Sequence, residues 1–290
     1  MSALELPADL RFWRCKTNGI TLHVAEAGPQ NGRAVVLLHG FPEYWYGWRH
    51  QLGALAAAGY RVVAPDQRGY NLSDRPPGIP AYDIDVLARD ILGLADRLNE
   101  GRILLVGHDW GAAVGWWLAS RYADRLEKFV AISAPHPAVW VRAMRHDREQ
   151  RKRSRYVRLF RLPWLPEILL AHRNFTTLTS ALLSTARAGA LSEADIEAYR
   201  TAWSQTGAMT SMVNWYRALL ARDWRHAEFR GLTPLTLVVW GERDQYGTSA
   251  LAESSAKLCE RASFIHLDAS HWIQHDAPES LNGLLLDFLH

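Results

Sequence analysis

The chain of 290 residues has only two cysteines, Cys15 and Cys259. With no CxxC pair and no regularly spaced set, it lacks the disulfide framework of a small secreted protein, and two reduced thiols are the expected state. No apolar run is long enough to cross a bilayer, so we expect no membrane span. The start of the chain lacks a charged segment followed by an apolar one, which predicts no secretory signal and a cytoplasmic location.

An excess of charge of one sign is also missing. Lys and Arg number 33 and Asp and Glu number 30, so the formal net charge is only +3. A dedicated nucleic-acid binder would concentrate more basic charge on one face, which excludes nucleic acid as the expected partner. The histidines show no zinc spacing such as HExxH, so we expect neither a metal nor an organic cofactor.

The hydrophobic pattern predicts an α/β protein. Three apolar segments open the chain, and Asn18-Gly19 and Asn31-Gly32 between them are typical of hairpins of antiparallel strands. After His39, strands alternate with helices, which indicates crossover connections and a mostly parallel sheet. The predicted strands are Arg11–Thr17, Ile20–Ala27, Ala34–His39, Arg61–Ala64, Ile103–Val106, Phe129–Ser133, Leu235–Trp240 and Ser263–Leu267, and the clearest helices are Ile84–Leu98 and Ala277–Leu289.

A helical stretch interrupts this alternation from about Pro137 to Gly231, where no clear buried strand occurs. We therefore expect residues 1–136 and 232–290 to form one α/β core, with residues 137–231 inserted as a helical cap over the site. Residues 142–161 are dense in arginine. Our interpretation of this segment is a solvated face of the first cap helix, in preference to a surface for an anionic membrane or a partner.

Asp109 is the most informative single residue. It lies in Gly107-His108-Asp109-Trp110-Gly111, between a predicted strand and a helical pattern. A strand, a glycine-flanked turn and a helix are typical of the nucleophile elbow of an α/β-hydrolase, in which the usual nucleophile is serine. An Asp after a strand is otherwise often a helix N-cap, but the glycines on both sides favour the nucleophile.

Two further residues complete a catalytic set in the chain order of this fold. Asp244 follows the first strand after the insertion, and His271 follows the last strand. Nucleophile, acid and histidine occur in this order in α/β-hydrolases. Glu242 competes for the acid role, but Asp244 lies further into its loop and is better placed to reach an imidazole. We interpret His266 and His275 as structural.

A carboxylate nucleophile restricts the reaction. It is ionised at neutral pH and suits displacement at a saturated carbon, which leaves an alkyl ester on Asp109. His271, polarised by Asp244, can activate water to hydrolyse that ester, and the backbone N–H groups of Phe41 and Trp110 can stabilise the oxyanion. Epoxides and alkyl halides are the candidate substrates.

Several motifs together resemble the epoxide hydrolases of the α/β-hydrolase fold over nearly the whole chain. They are His39-Gly40-Phe41-Pro42-Glu43, the DxRGYxxS loop at residues 66–73, the elbow around Asp109, His271-Trp272, and Asn214-Trp215-Tyr216-Arg217. The resemblance implies hydrolysis of a small-molecule epoxide to a vicinal diol by a monomer or homodimer. It also implies that Tyr156 and Tyr216 hold the epoxide oxygen, although Arg155 and Arg161 depart from the pattern around Tyr156. The predicted substrate contacts are Phe41, Pro42, Trp110 and Trp215.

Two other functions stay open at this point. Haloalkane dehalogenases resemble the same core, and Trp110 could bind a halide, but Phe41 stands where many of them have a halide-binding Asn. Fluoroacetate dehalogenases are also similar, yet Trp110, Ala113 and Val114 occupy the places of their carboxylate-binding arginines. A hydrolase fold used only for binding is the remote alternative, because such proteins generally lose one member of the catalytic set.

Overall fold

The computed structural model describes residues 6–224 and 229–290. The first five residues, to which the prediction of no secretory signal partly refers, lie outside this range. The described residues form an eight-stranded sheet in the order β1-β2-β4-β3-β5-β6-β7-β8, with all neighbours from β4 to β8 parallel. The strands are β1 Arg11–Thr17, β2 Ile20–Ala27, β3 Ala34–Leu38, β4 Arg61–Pro65, β5 Ile103–His108, β6 Leu126–Ile132, β7 Leu235–Gly241 and β8 Ala262–Leu267.

The first predicted hairpin is confirmed and the second is wrong. β1 and β2 pair in antiparallel register across Asn18-Gly19, which both have positive φ. β2 does not pair with β3 across Asn31-Gly32; instead it pairs with β4, where Val24 lies opposite Pro65. β3 pairs in parallel with β4 on one side and β5 on the other, so it has no free edge for β2.

Helices cover both the sheet and its carboxyl edge. The predicted helix over 84–98 is confirmed as α2, whose N-terminus is capped by the Asp83 side chain, and the final predicted helix is confirmed as α12. The helices are α1 Arg49–Ala57, α2 Ile84–Arg97, α3 Trp110–Arg121, α4 Pro137–His146, α5 Arg148–Arg153, α6 Tyr156–Phe160, α7 Leu165–Thr185, α8 Glu193–Trp203, α9 Ala208–Ala221, α10 Ser249–Ala256, α11 Ile273–Asp276 and α12 Pro278–Leu289.

Helices α4 to α9 form what we call the helical insertion, which comprises the described residues from Pro137 to Trp224. Helix α7 is interrupted at His172–Phe175, where three successive residues have positive φ. Indole N–H groups of the insertion donate to core carbonyls: Trp203 to Pro42 at 2.6 Å and Trp215 to Arg68 at 3.0 Å. These bonds hold the insertion over the carboxyl ends of the strands. No helix within the described residues has the length and apolarity needed to span a bilayer.

Candidate active site

Asp109 occupies a strained turn between β5 and α3, with φ 49° and ψ −117°. Its side chain caps no backbone donor of α3, unlike an ordinary N-cap residue. Glycines make this turn possible, since a Cβ atom on Gly107 would lie 2.5 Å from the Ala112 nitrogen and one on Gly40 would lie 2.5 Å from the Asp109 Cβ. The turn therefore projects the carboxylate away from its own helix and into the site.

The Asp109 carboxylate has one partner on each oxygen. The backbone N–H of Phe41 donates to Oδ1 at 2.9 Å, and Oδ2 lies 3.6 Å from Nε2 of His271. Burial alone would raise the pKa of Asp109, but its interactions with His271, His108 and the Phe41 N–H outweigh burial and lower the pKa. The group is thus a carboxylate at neutral pH, as a nucleophile requires.

His271 lies between two carboxylates. Its Nδ1–H donates to Oδ2 of Asp244 at 2.9 Å, whereas Glu242 is exposed and makes no such contact. Burial would lower the pKa of His271, but the charge of Asp244 and the interaction with Asp109 raise it to about 10. The backbone N–H groups of Tyr246 and Gly247 donate to the other Asp244 oxygen at 2.7 and 3.0 Å, which fixes its orientation.

Two tyrosines of the helical insertion line the same cavity as Asp109 and His271. The ring centroids of Tyr156 on α6 and Tyr216 on α9 lie 6.0 Å apart, and the Tyr216 ring packs edge-on against Trp110 and Phe41. Burial raises the pKa of both hydroxyls, and the charge of Asp109 raises it further. Both hydroxyls therefore remain protonated at neutral pH and are available as donors.

Two cavities meet at Asp109. The larger has a volume of about 210 Å³, and the smaller has a volume of about 80 Å³. Asp109, Tyr156 and Tyr216 line both, so a molecule bound where the cavities meet contacts the Asp109 carboxylate and both tyrosines. The larger cavity is also lined by Phe41, Pro42, Leu159, Phe160, Leu170, Thr177, Leu178, Ala181, Tyr246, His271 and Trp272, and the smaller by Trp110, Ala113, Ala134, Pro135, Pro137, Trp140 and Leu219.

The predicted substrate contacts divide into two groups. Phe41, Pro42 and Trp110 line a cavity. Trp215 lines neither; it is buried behind Trp110, with a ring-centroid distance of 5.5 Å, and its N–H is bonded to the core. Its place in the NWYR segment reflects how the insertion docks on the core. Within residues 6–224 and 229–290, no group of three or more His, Cys, Asp or Glu side chains is arranged to bind a metal ion.

Comparison with known proteins agrees with this geometry. A family model described as the alpha/beta hydrolase fold matches residues 33–278. The chain is 44% identical over 274 residues to the AB hydrolase superfamily protein YfhM of Bacillus subtilis, covering 94% of this chain and 96% of that protein. It is 36% identical over 287 residues to epoxide hydrolase 4 of Mus musculus, covering 96% and 79%. The chain belongs to the epoxide hydrolase family of the α/β-hydrolase fold.

Solved structures of this family have the same architecture. The crystal structure of a Bacillus megaterium epoxide hydrolase in complex with an inhibitor is similar with a TM-score of 0.87 at 31% identity, and it covers 96% of this chain and 99% of that one. The predicted fold class, the family and the assignment as an enzyme of that family are confirmed. The roles of the individual site residues remain predictions.

Beneath the site, this member of the epoxide hydrolase family has a buried polar network that sequence reasoning missed. The Glu43 carboxylate accepts from Tyr199 and Gln274 at 2.9 Å each, and it also contacts His275 at 2.7 Å and His108 at 3.0 Å. Burial would raise the pKa of Glu43, but the hydrogen bonds from the two imidazoles hold it well below its usual range. Glu43 is thus a buried anion.

His108 joins this network to His271. Its Nδ1 faces the Glu43 carboxylate, and its Nε2 lies 2.9 Å from the backbone carbonyl of His271. The Gln274 amide nitrogen lies 3.1 Å from the same Nδ1 and donates to Glu43, so His108 and Glu43 share this partner. The motifs contain both residues, but their pairing across 65 positions is visible only in the fold.

Tyr246 is a second residue that the sequence did not single out. Its ring packs edge-on against the His271 ring at a centroid distance of 4.8 Å, and it lines the larger cavity. Its position two residues after Asp244 could have indicated this contact, because a loop that places Asp244 beside His271 also brings its neighbouring residues close to His271.

Proposed function

We propose that this protein hydrolyses epoxides to vicinal diols through an alkyl ester on Asp109. The observation that carries the proposal is the meeting of one carboxylate, one imidazole and two protonated phenols where the two cavities join. A carboxylate attacks a saturated carbon, and phenols supply the hydrogen bonds that an opening epoxide ring needs. The residue roles and the steps below belong to this proposal.

In the first step, Oδ2 of Asp109 attacks one ring carbon while the Phe41 N–H holds Oδ1. A carbon–oxygen bond of the ring breaks as the Asp109–carbon bond forms. The ring oxygen takes a proton from Tyr156 or Tyr216, which leaves a phenolate. His271 enters the step as an imidazolium, and its proton restores the phenol. The step ends with the ester, a free hydroxyl on the substrate and a neutral His271.

In the second step, neutral His271 takes a proton from water, and the hydroxide attacks the Asp109 carbonyl carbon. The negative charge that develops on Oδ1 is stabilised by the backbone N–H groups of Phe41 and Trp110. As the tetrahedral intermediate collapses, the bond between the substrate oxygen and the Asp109 carbonyl carbon breaks. The remaining proton of the attacking water passes to that leaving oxygen, which releases the diol and restores the Asp109 carboxylate. The proton that His271 gave in the first step is regained in the second, so the enzyme returns to its starting state.

The insertion is, on this proposal, a cap that belongs to the catalytic unit. Asp109, Asp244 and His271 come from the core at residues 1–136 and 232–290. Tyr156 and Tyr216 come from the segment at residues 137–231. Neither part alone holds both the nucleophile and the donors to the ring oxygen, which supports the predicted division into a core and an inserted cap.

The variant His271→Gln tests this mechanism, because it should form the ester and hydrolyse it slowly. After incubation with styrene oxide, intact mass should rise by one substrate mass, and peptide mapping should locate it on Asp109. The matched control is His266→Gln at an exposed histidine, which should turn over without accumulating adduct. If wild-type protein releases diol but His271→Gln carries no adduct on Asp109, the ester mechanism is wrong. Faster halide release from haloalkanes than diol release from epoxides would favour a dehalogenase.

A further inference from the structure

The helical insertion carries an unusual concentration of exposed apolar side chains. Four large hydrophobic residues between positions 162 and 169 are exposed. A fifth, Leu183, lies further along α7. We call the first four the apolar tip. Its members, with their exposed fractions, are Leu162 at 45%, Trp164 at 67%, Ile168 at 56% and Leu169 at 40%.

Arg217 fixes the backbone around the apolar tip. It donates to the Leu162 carbonyl at 2.5 Å and to the Glu167 carboxylate at 2.6 Å, which ties the loop before α7 to its first turn. Trp164 is the N-cap residue of that helix, with φ 50°. The four exposed side chains belong to this one short segment, and clustered exposed apolar residues mark an interaction site more often than scattered ones do.

Cations precede the apolar tip in sequence. Residues 142–161 contain nine Arg or Lys residues and only two acids, Asp147 and Glu149. The prediction that this segment is one face of the first cap helix is wrong, because the chain turns between α4, α5 and α6 within it. Arg155, Arg158 and Arg161, nearest in sequence to the tip, are exposed and form no ion pair with any residue of the described ranges.

The segment that carries the apolar tip also lines the larger cavity. Thr177 lines that cavity and is exposed, and its hydroxyl donates to the carbonyl of Leu169 at 3.1 Å. Leu170, the next residue, is buried and lines the same cavity. The apolar tip is thus connected through Leu169 and Leu170 to the lining of the cavity that contains Asp109.

We propose that the apolar tip and Arg155, Arg158 and Arg161 form a docking surface for anionic phospholipid bilayers. Exposed Trp and Leu side chains enter the interfacial region of a bilayer, and neighbouring arginines are attracted to anionic headgroups. Charge complementarity favours lipid over a second copy of this chain, because a symmetric contact would bring the same unpaired arginines against each other. The binding is peripheral and does not depend on the proposed activity.

Flotation with lipid vesicles tests the proposal on the full chain. We expect binding to vesicles of phosphatidylcholine mixed with phosphatidylglycerol at low salt, weaker binding at high salt, and little binding to phosphatidylcholine alone. The double variant Trp164→Ser and Ile168→Ser and the triple variant Arg155→Glu, Arg158→Glu and Arg161→Glu should each lower the partition coefficient at least ~10-fold.

Matched controls alter the same kinds of residue on the core. Leu72→Ser with Ile79→Ser removes two exposed apolar side chains, and Lys16→Glu, Arg97→Glu and Arg261→Glu reverses three exposed cations. Thermal unfolding confirms that every variant is folded. The proposal fails if wild-type protein does not bind the anionic vesicles, or if the core variants lose as much binding as the tip and arginine variants. It also fails if sedimentation shows a dimer that the Trp164→Ser and Ile168→Ser variant dissociates, since the tip then belongs to a second copy.

Discussion

Asp109, Asp244 and His271 follow strands of the core, whereas Tyr156 and Tyr216 lie on helices of the insertion. The core residues are oriented by backbone groups and by a buried network: the Phe41 N–H, the Tyr246 N–H, and the His271 carbonyl held by His108. The tyrosines are positioned mainly by aromatic packing, with Tyr216 against Trp110 and Phe41. Hydrogen bonds define direction more sharply than ring packing does, so we expect the core half to tolerate less change.

The largest effect should come from Asp109, the proposed nucleophile of the core. In Asp109→Ala no ester can form, and diol formation from an epoxide should fall at least ~10⁴-fold, as for other removed nucleophiles. The control Asp287→Ala changes an exposed carboxylate on α12 and should leave turnover unaltered. Residual turnover by Asp109→Ala within tenfold of wild type, a threshold of about 1.4 kcal/mol in barrier height, would mean that another group attacks the substrate.

The insertion half should respond differently, because two hydroxyls serve one ring oxygen. Tyr156→Phe and Tyr216→Phe should each lower diol formation by about tenfold, and the double variant by ~10³-fold, since positioned acids contribute in that range. Tyr60→Phe, at a tyrosine of the core outside both cavities, is the control. If one single variant is as inactive as the double variant, the two hydroxyls are not interchangeable. The insertion would then depend on one residue, as the core depends on Asp109.

The contrast should extend to stability. Glu43 is buried and accepts from four side chains. Glu43→Gln replaces this anion by an amide whose nitrogen cannot accept, so the unfolding free energy should fall by about 3 kcal/mol. Glu167 of the insertion pairs with Arg217 near the surface, and Glu167→Gln should cost about 1 kcal/mol. Urea unfolding of both variants measures the difference. Equal losses would show that the insertion is held as tightly as the core.

The sequence predicted the features that depend on neighbouring residues and missed those that depend on contacts between distant segments. The strand positions and the elbow around Asp109 were readable because apolar runs and flanking glycines are local signals. The place of β2 beside β4 was not, since pairing across Asn31-Gly32 satisfies the same local pattern. Trp215 lies behind the site, and the contact of Glu43 with His108 joins distant segments; both depend on packing that no single stretch encodes.

The pH dependence of stability reports the charge on His271. An unperturbed histidine has a pKa of 6.5, whereas Asp244 and Asp109 raise the pKa of His271 in the folded protein to about 10. Between these values the folded state binds a proton that the unfolded state lacks. The stability that His271 contributes is therefore complete below pH 6.5 and is lost as the pH rises toward 10.

The variant His271→Gln removes this proton and so isolates its contribution. The unfolding free energy of wild-type protein minus that of His271→Gln should fall as the pH rises from about 7 to about 9, by on the order of 1 kcal/mol per pH unit. For the exposed control His266→Gln, the same difference should not change with pH. A constant difference for His271→Gln would mean that His271 is neutral in the free protein. It could not then supply the first proton, and the ring oxygen would depend on the tyrosines of the insertion alone.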